Sequence, residues 1–177
     1  MSQVYGLIDN GSISLQVKLE GISENCDRVE LKENLIDTMY EYKGLGLSAS
    51  QCGILERVFV MYDNFLERKT IACFNPQVVI SSPETIIMDE GCLTYPGLWL
   101  KVRRPKTVDV IFEDENGESQ KRKYSGLEAR VFQHEMDHMD GTDFTQKVSK
   151  LKLDMSKKRR NKALEKSEQY KMVRPPS

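Results

Sequence analysis

Apolar side chains recur at helical spacing between Val29 and Tyr42. Leu31, Leu35, Ile36 and Met39 share one face, and Gly44 follows as a stop, so a first helix is predicted there. A glycine-rich segment comes next, Gly44-Leu45-Gly46-Leu47-Ser48-Ala49-Ser50-Gln51. The period then becomes strand-like at Arg57–Tyr62, Thr70–Phe74, Gln77–Ser81 and Thr85–Met88, the last leading into Glu90-Gly91-Cys92-Leu93. Thr107–Phe112 and Gln120–Tyr124 read as a hairpin turned by Glu115-Asn116-Gly117. A second helix is predicted from Gly126, with Ser125 as N-cap and Glu128 completing a capping box, and Asp140-Gly141 ends it. A basic segment, helical over roughly Ser156–Tyr170, precedes Pro175-Pro176. Short strands mixed with helices predict an α+β fold of mostly antiparallel sheets rather than a parallel sheet.

Composition narrows the picture. The 177 residues suffice for one core, and 39% hydrophobic with 30% charged residues is ordinary for a globular protein. No apolar run is long enough for a membrane span, and the N-terminus carries neither a basic leader nor an apolar stretch, so a cytoplasmic location is expected. Cys26, Cys52, Cys73 and Cys92 form no CxxC pair and are not expected to build a disulfide framework. The net charge of −1 conceals an asymmetry: Lys147 to Ser177 holds eleven Lys/Arg against three Asp/Glu, which leaves Met1 to Gln146 at −9. An acidic body, 1–146, and a basic C-terminal extension, 147–177, are therefore expected.

The chemistry concentrates in His134-Glu135-Met136-Asp137-His138, which contains the chain's two histidines. Four residues apart on a helix, the two imidazoles share one face and can bind one metal ion, and Glu135 can reach a water held there. The second helix thus becomes a central metal-binding helix. Catalytic sites of this kind take a third protein ligand. Glu165 and Glu168 sit in the basic segment and are poor candidates. Cys92, in Glu90-Gly91-Cys92-Leu93, is better, because a thiolate is a strong ligand for Fe(II) or Zn(II). Leu127 and Val131 lie on the His134–His138 stripe and read equally as core packing or as the lining of the metal's cavity.

Three segments, Gly44–Gln51, Glu90–Thr94 and His134–His138, stand in the order and spacing of the motifs GΦGΦAAxQ, EGCΦS and HExDH, and the chain resembles the peptide deformylases from near Val29 to about Phe144. The resemblance implies removal of the formyl group from N-terminal formylmethionine. It implies Cys92, His134 and His138 as ligands of one divalent metal, Fe(II) natively with Zn(II) or Ni(II) as alternatives. It implies Glu135 as general acid/base, and the Gln51 amide with the Leu93 N–H as oxyanion donors. Gly44 and Gly46 would border the extended substrate, Leu127 and Val131 the methionine side chain, and Glu90 would pair with Arg104 to support the cysteine loop. The implied partners are N-formylmethionyl peptides, nascent chains and, through the basic segment with its Lys157-Lys158-Arg159-Arg160 cluster, the ribosome, without a membrane or base-specific recognition of nucleic acid.

Departures from the family pattern are Ser48 for alanine, Thr94 for serine, Trp99 where a polar or basic residue is common, and Arg130 where an apolar one is expected; Ile8–Leu19 also fits poorly. Trp99 reads as a cap on the substrate channel. Two other functions compete. A zinc metallopeptidase would need a downstream third ligand, and a non-catalytic metal- or ribosome-binding module gives Glu135 no purpose.

Overall fold

The computed structural model describes residues 3–173, with side chains through Ser167; Pro175 and Pro176 lie outside the described residues. Three helices, α1 (Arg28–Glu41), α2 (Gly126–Met139) and α3 (Lys150–Val173), accompany two antiparallel sheets. The larger sheet has the order β1-β2-β3-β6-β7, where β1 is Gly46–Ser48, β2 Val58–Asn64, β3 Lys69–Ser81, β6 Thr107–Glu113 and β7 Ser119–Ser125. The smaller is the hairpin of β4 (Thr85–Cys92) and β5 (Tyr95–Pro105). The fold is α+β, as the sequence predicts.

Strand alternation distributes the core to both faces of the larger sheet. Phe59, Met61, Cys73, Val108, Val110 and Phe112 pack with Val131, Phe132, Met136 and Met139 of α2. Val58, Val60, Ala72 and Phe74 point the other way, onto Leu31, Leu35 and Met39 of α1. The central strands are therefore buried on both sides, and α2 is buried at every position from Ala129 to Met139. A third cluster joins Leu98, Leu100 and Val102 of β5 to Phe144, with Val148 and Leu153 of the C-terminal region packed on it.

Several expectations change. Thr70–Phe74 and Gln77–Ser81 belong to one strand, interrupted by a register shift between Phe74 and Gln77. Asn75 there takes φ 49° and Pro76 lacks an N–H, so the ladder bulges where proline would otherwise break it. β5 was not foreseen, although Leu98, Leu100, Val102 and Arg104 alternate inward along it. β1 hides inside the glycine-rich segment. The capping box on α2 is absent: Ser125 makes no side-chain cap bond, and the Glu128 carboxylate accepts from the Phe65 N–H at 3.4 Å instead. The last helix begins at Lys150 rather than Ser156. Ile8–Leu19 is tied into the fold, with the Ile8 N–H donating to the Gln51 carbonyl and the Leu19 N–H to that of Met139.

Two substitutions test this packing. Phe132 is fully buried, edge-on to Phe59 and tilted against Tyr124, with centroids 5.1 and 5.8 Å away. Phe132→Ala is expected to cost about 3–5 kcal/mol of stability. Ser125→Ala is expected to cost less than about 0.5 kcal/mol, against the ~1 kcal/mol of a working cap. Urea unfolding measures both, and a loss near 1 kcal/mol at Ser125 would reinstate the capping box.

Candidate metal centre and active site

Cys92 ends β4, and His134 and His138 lie one turn apart on α2. The structure brings their donor atoms within 4.8 Å of one another. Cys92 Sγ lies 3.4 Å from His138 Nε2. His134 Nδ1 is engaged by Glu90 Oε2 at 2.9 Å, which leaves its Nε2 for the cluster. Burial alone would push the Cys92 thiol up, but hydrogen bonds to His134 and His138 outweigh it and bring the pKa down to about 5. A thiolate beside two imidazoles is a donor set for Fe(II), Zn(II) and similar divalent ions.

Glu135 is buried next to this cluster. Burial raises its carboxyl to about 7, with the two histidines pulling the other way, and Oε2 has no hydrogen-bond partner among the described residues. Its position depends on Gly46, because a methyl group there would lie 2.6 Å from Glu135 Oε1 and 2.8 Å from Val131 Cγ1. The absence of a side chain at Gly46 lets β1 and the helix approach this closely.

Gln51 is buried in a 3-10 turn over Ala49–Cys52. Ser48 donates from N–H (3.0 Å) and hydroxyl (3.1 Å) to the Gln51 amide oxygen, the N–H bond being one arm of a capping box. The Gln51 nitrogen is thereby aimed at Thr94 Oγ1 (3.0 Å) and Cys92 Sγ (3.5 Å). The two small substitutions thus have roles: Ser48 orients the amide, and Thr94 accepts from it. The spacing Ser48-x-x-Gln51 was a readable signal for this turn.

A cleft of about 910 Å³ opens over the cluster. Gly44, Gly46, Leu93, Leu127 and Val131 all line it, with Trp99 also on its wall. Val131 is buried and Leu127 exposed. Trp99 is 64% exposed, and its ring lies so near β4 that a methyl group on Gly91 would sit 3.1 Å from it.

Beneath the cleft, Glu90 is held by Arg104, whose Nε and Nη2 donate at 2.6 and 2.9 Å. Burial would raise the Glu90 carboxyl, yet the bonds from Arg104 and His134 hold it below the usual carboxylate range. Arg104 Nη2 also faces Asp137 Oδ2 at 2.9 Å, a charge contact off the hydrogen-bond direction, and Lys147 Nζ meets Asp137 Oδ1 at 3.0 Å. Arg130, which stands where the family pattern expects an apolar residue, borders the cleft but is only 3% exposed, and its guanidinium donates to Glu90 Oε1, 2.7 Å away. A buried guanidinium is tolerated because a buried carboxylate faces it.

A thiolate, two imidazoles and a desolvated carboxylate at the floor of a cleft in an α+β fold define a metal-dependent hydrolase. Residues 9–154 match the family described as polypeptide deformylase, and the chain belongs to that family. The match begins well before Val29 and takes in most of the poorly fitting Ile8–Leu19. The chain is 39% identical over 127 residues to the peptide deformylase of Thermotoga neapolitana, covering 72% of this chain and 76% of that one. Among solved structures it superposes with TM-score 0.80 and 33% identity on a peptide deformylase from Synechococcus elongatus in complex with actinonin, covering 89% of this chain and 86% of that one. It superposes with TM-score 0.76 and 28% identity on a Met-Ala-Ser-bound class I type b peptide deformylase from Acinetobacter baumannii, covering 84% and 100%.

Gly46→Ala tests the approach of β1 to α2. It should leave metal content and fold intact while displacing the Glu135 carboxylate, lowering kcat by about 10²-fold. An unchanged kcat at full metal occupancy would mean that Glu135 relocates freely.

Proposed function

We propose that this chain hydrolyses the formamide of N-formylmethionyl peptides and nascent chains, releasing formate and a free amino terminus, with Cys92, His134 and His138 holding one divalent metal. The observation that carries this reading is the partnerless oxygen of Glu135 beside the thiolate–imidazole cluster. Fe(II) is the proposed native ion, with Zn(II) or Ni(II) able to take its place. When bound, such an ion supplies Lewis acidity and lowers the pKa of a water.

The remaining steps belong to the chain's own groups. Glu135 takes the proton of the attacking water and delivers it to the departing amine as the C–N bond breaks. Charge developing on the formyl oxygen is received by the Gln51 amide, already oriented by Ser48, and by the Leu93 N–H. Backbone around Gly44 and Gly46 pairs with the extended peptide, and Leu127 and Val131 border the methionine side chain. Glu90, fixed by Arg104, orients His134.

A formyl-Met-Ala-Ser peptide incubated with anaerobically prepared, Fe(II)-loaded protein should release formate with its peptide bonds intact. Internal cleavage would indicate a metallopeptidase instead. Glu135→Gln should keep the metal and lose about 10²–10⁴-fold in kcat. Because Glu135 acts ionised and its carboxyl is raised to about 7, kcat/KM should fall as pH drops, with the acid limb at or below that value because a bound cation pulls it down. An acid limb that survives Glu135→Gln would assign it to another group.

We further propose a cytoplasmic enzyme organised as a catalytic part, 1–146, around α2, and a basic extension, 147–177, that docks on ribosomal RNA phosphates. No described helix is long and apolar enough to cross a membrane. Lys158 and Arg159 are exposed on α3, away from Leu153, which packs on the β5 cluster. Lys158→Glu with Arg159→Glu should therefore weaken co-sedimentation with ribosomes, most at low salt, while peptide deformylation is unchanged. Undiminished co-sedimentation would reject the docking role.

A further inference from the structure

The hairpin that carries Cys92 and the helix that carries the two histidines belong to separate parts of the fold. The β4–β5 pair forms its own two-stranded sheet. Among the described residues no backbone–backbone hydrogen bond joins that hairpin to α2. The convergence of the three donors therefore depends on side chains that cross between them. Arg104 reaches from β5 to the Gln133 carbonyl at 3.4 Å, and Gln133 donates back to the Pro105 carbonyl at 3.0 Å. Both contacts lie toward the strand end remote from Cys92.

Arg130 makes the denser crossing. It stands one turn before His134 on α2. Its Nη1 donates to Glu90 Oε1 at 2.7 Å and to the Val102 carbonyl at 2.9 Å, and its Nη2 donates to the Ile86 carbonyl at 2.8 Å. One guanidinium thus grips the backbone of both strands and the carboxylate two residues before Cys92. Glu90 already has both oxygens met by Arg104, so Arg130 is not required to satisfy it. What Arg130 adds to the Gln133–Pro105 bond is a link to the backbone of both strands at once. Arg130 and His134, four apart on one helix face, hold opposite oxygens of the same carboxylate.

We propose that Arg130 is a positioning residue that fixes the Cys92 hairpin against the His134–His138 helix, so that thiolate and imidazoles meet on one metal ion. This rests on the metal-site reading given above. The fork geometry is the reason for arginine: a lysine ammonium is a single point charge that cannot span Glu90, Ile86 and Val102 together. An apolar side chain of similar length would fill the space and tie down neither strand.

The test is Co(II) binding to the metal-free full-length protein, followed by the visible and near-ultraviolet bands that report thiolate and imidazole coordination, with affinity set by chelator competition. Arg130→Met should bind Co(II) about 10–100-fold more weakly and show shifted bands. Arg130→Lys should be intermediate. Val110→Ala, a core truncation on β6 of the larger sheet, should lose stability while keeping wild-type affinity and spectrum. Wild-type affinity and bands in folded Arg130→Met would overturn the proposal, as would an equal loss in Val110→Ala, which would make the effect one of general stability. Should Arg130→Met fail to fold, Arg130→Lys decides: weaker binding in a folded protein supports the positioning role, and unchanged binding removes it. Absence of Co(II) binding by the wild-type protein would instead refute the metal-site reading beneath it.

Discussion

A single buried carboxylate organises this molecule. Glu90 is 5% exposed, and Arg104, Arg130 and His134 converge on its two oxygens. Removing such a charge from water costs several kcal/mol unless partners replace the lost hydration. Here the replacement is itself structural, because the partners come from two elements: Arg104 from β5, Arg130 and His134 from successive turns of α2. Arg104 meets both oxygens from within the hairpin, and the two further partners on α2 hold the helix against it. The same act fixes the tautomer of His134, since the ring nitrogen facing Glu90 is committed and the other is presented to Cys92 and His138.

Glu90 and Glu135 are both buried within one site, yet their environments drive them in opposite directions. Glu90 is held below the carboxylate range by its cationic partners, whereas Glu135, with one oxygen unpartnered, is raised to about 7 by burial. Carboxylates separated in this way can divide their work, one staying ionised as a structural anion and the other able to gain and lose a proton near neutrality. The difference arises from what each oxygen touches. Gly46 contributes by absence, since its missing side chain is the space Glu135 occupies.

The parts legible in the sequence were those governed by short-range rules. The periodicity of Leu31, Leu35 and Met39, the Asn116-Gly117 turn and the spacing of His134 and His138 all report local geometry, and α1, the β6–β7 hairpin and α2 stand where those signals place them. What escaped was set by distant partners. β5 has Pro96-Gly97 just after its first residue and alternates charges with apolar residues in its second half, so its strand character rests on pairing with β4 and on Phe144 beneath it. Ser125 and Glu128 matched a capping box in one dimension, but Phe65, distant in sequence, took the glutamate. Arg130 looked misplaced on a helix face expected to be apolar because its reason, Glu90, lies forty residues earlier in the chain. Gln51 ends a glycine-rich segment that shows no period, yet Ser48 three positions before it carries the signal for the turn that buries it.

The start of the C-terminal extension shows how far the same charge chain runs. Lys147 pairs with Asp137, Asp137 faces Arg104, Arg104 holds Glu90, and Glu90 holds His134. Val148 and Leu153 add apolar contact with the β5 cluster. The residues from Lys147 to Leu153 are therefore tied into the fold. Asp137 makes the point most clearly. As the residue that distinguishes HExDH from a general H-E-x-x-H it reads in sequence as a family mark without a task; in three dimensions it couples the helix of His134 and His138 to β5 on one side and to Lys147 on the other. A polar side chain beside a metal ligand need not touch the ion to matter to it, because in a buried network each charge fixes where the next can stand.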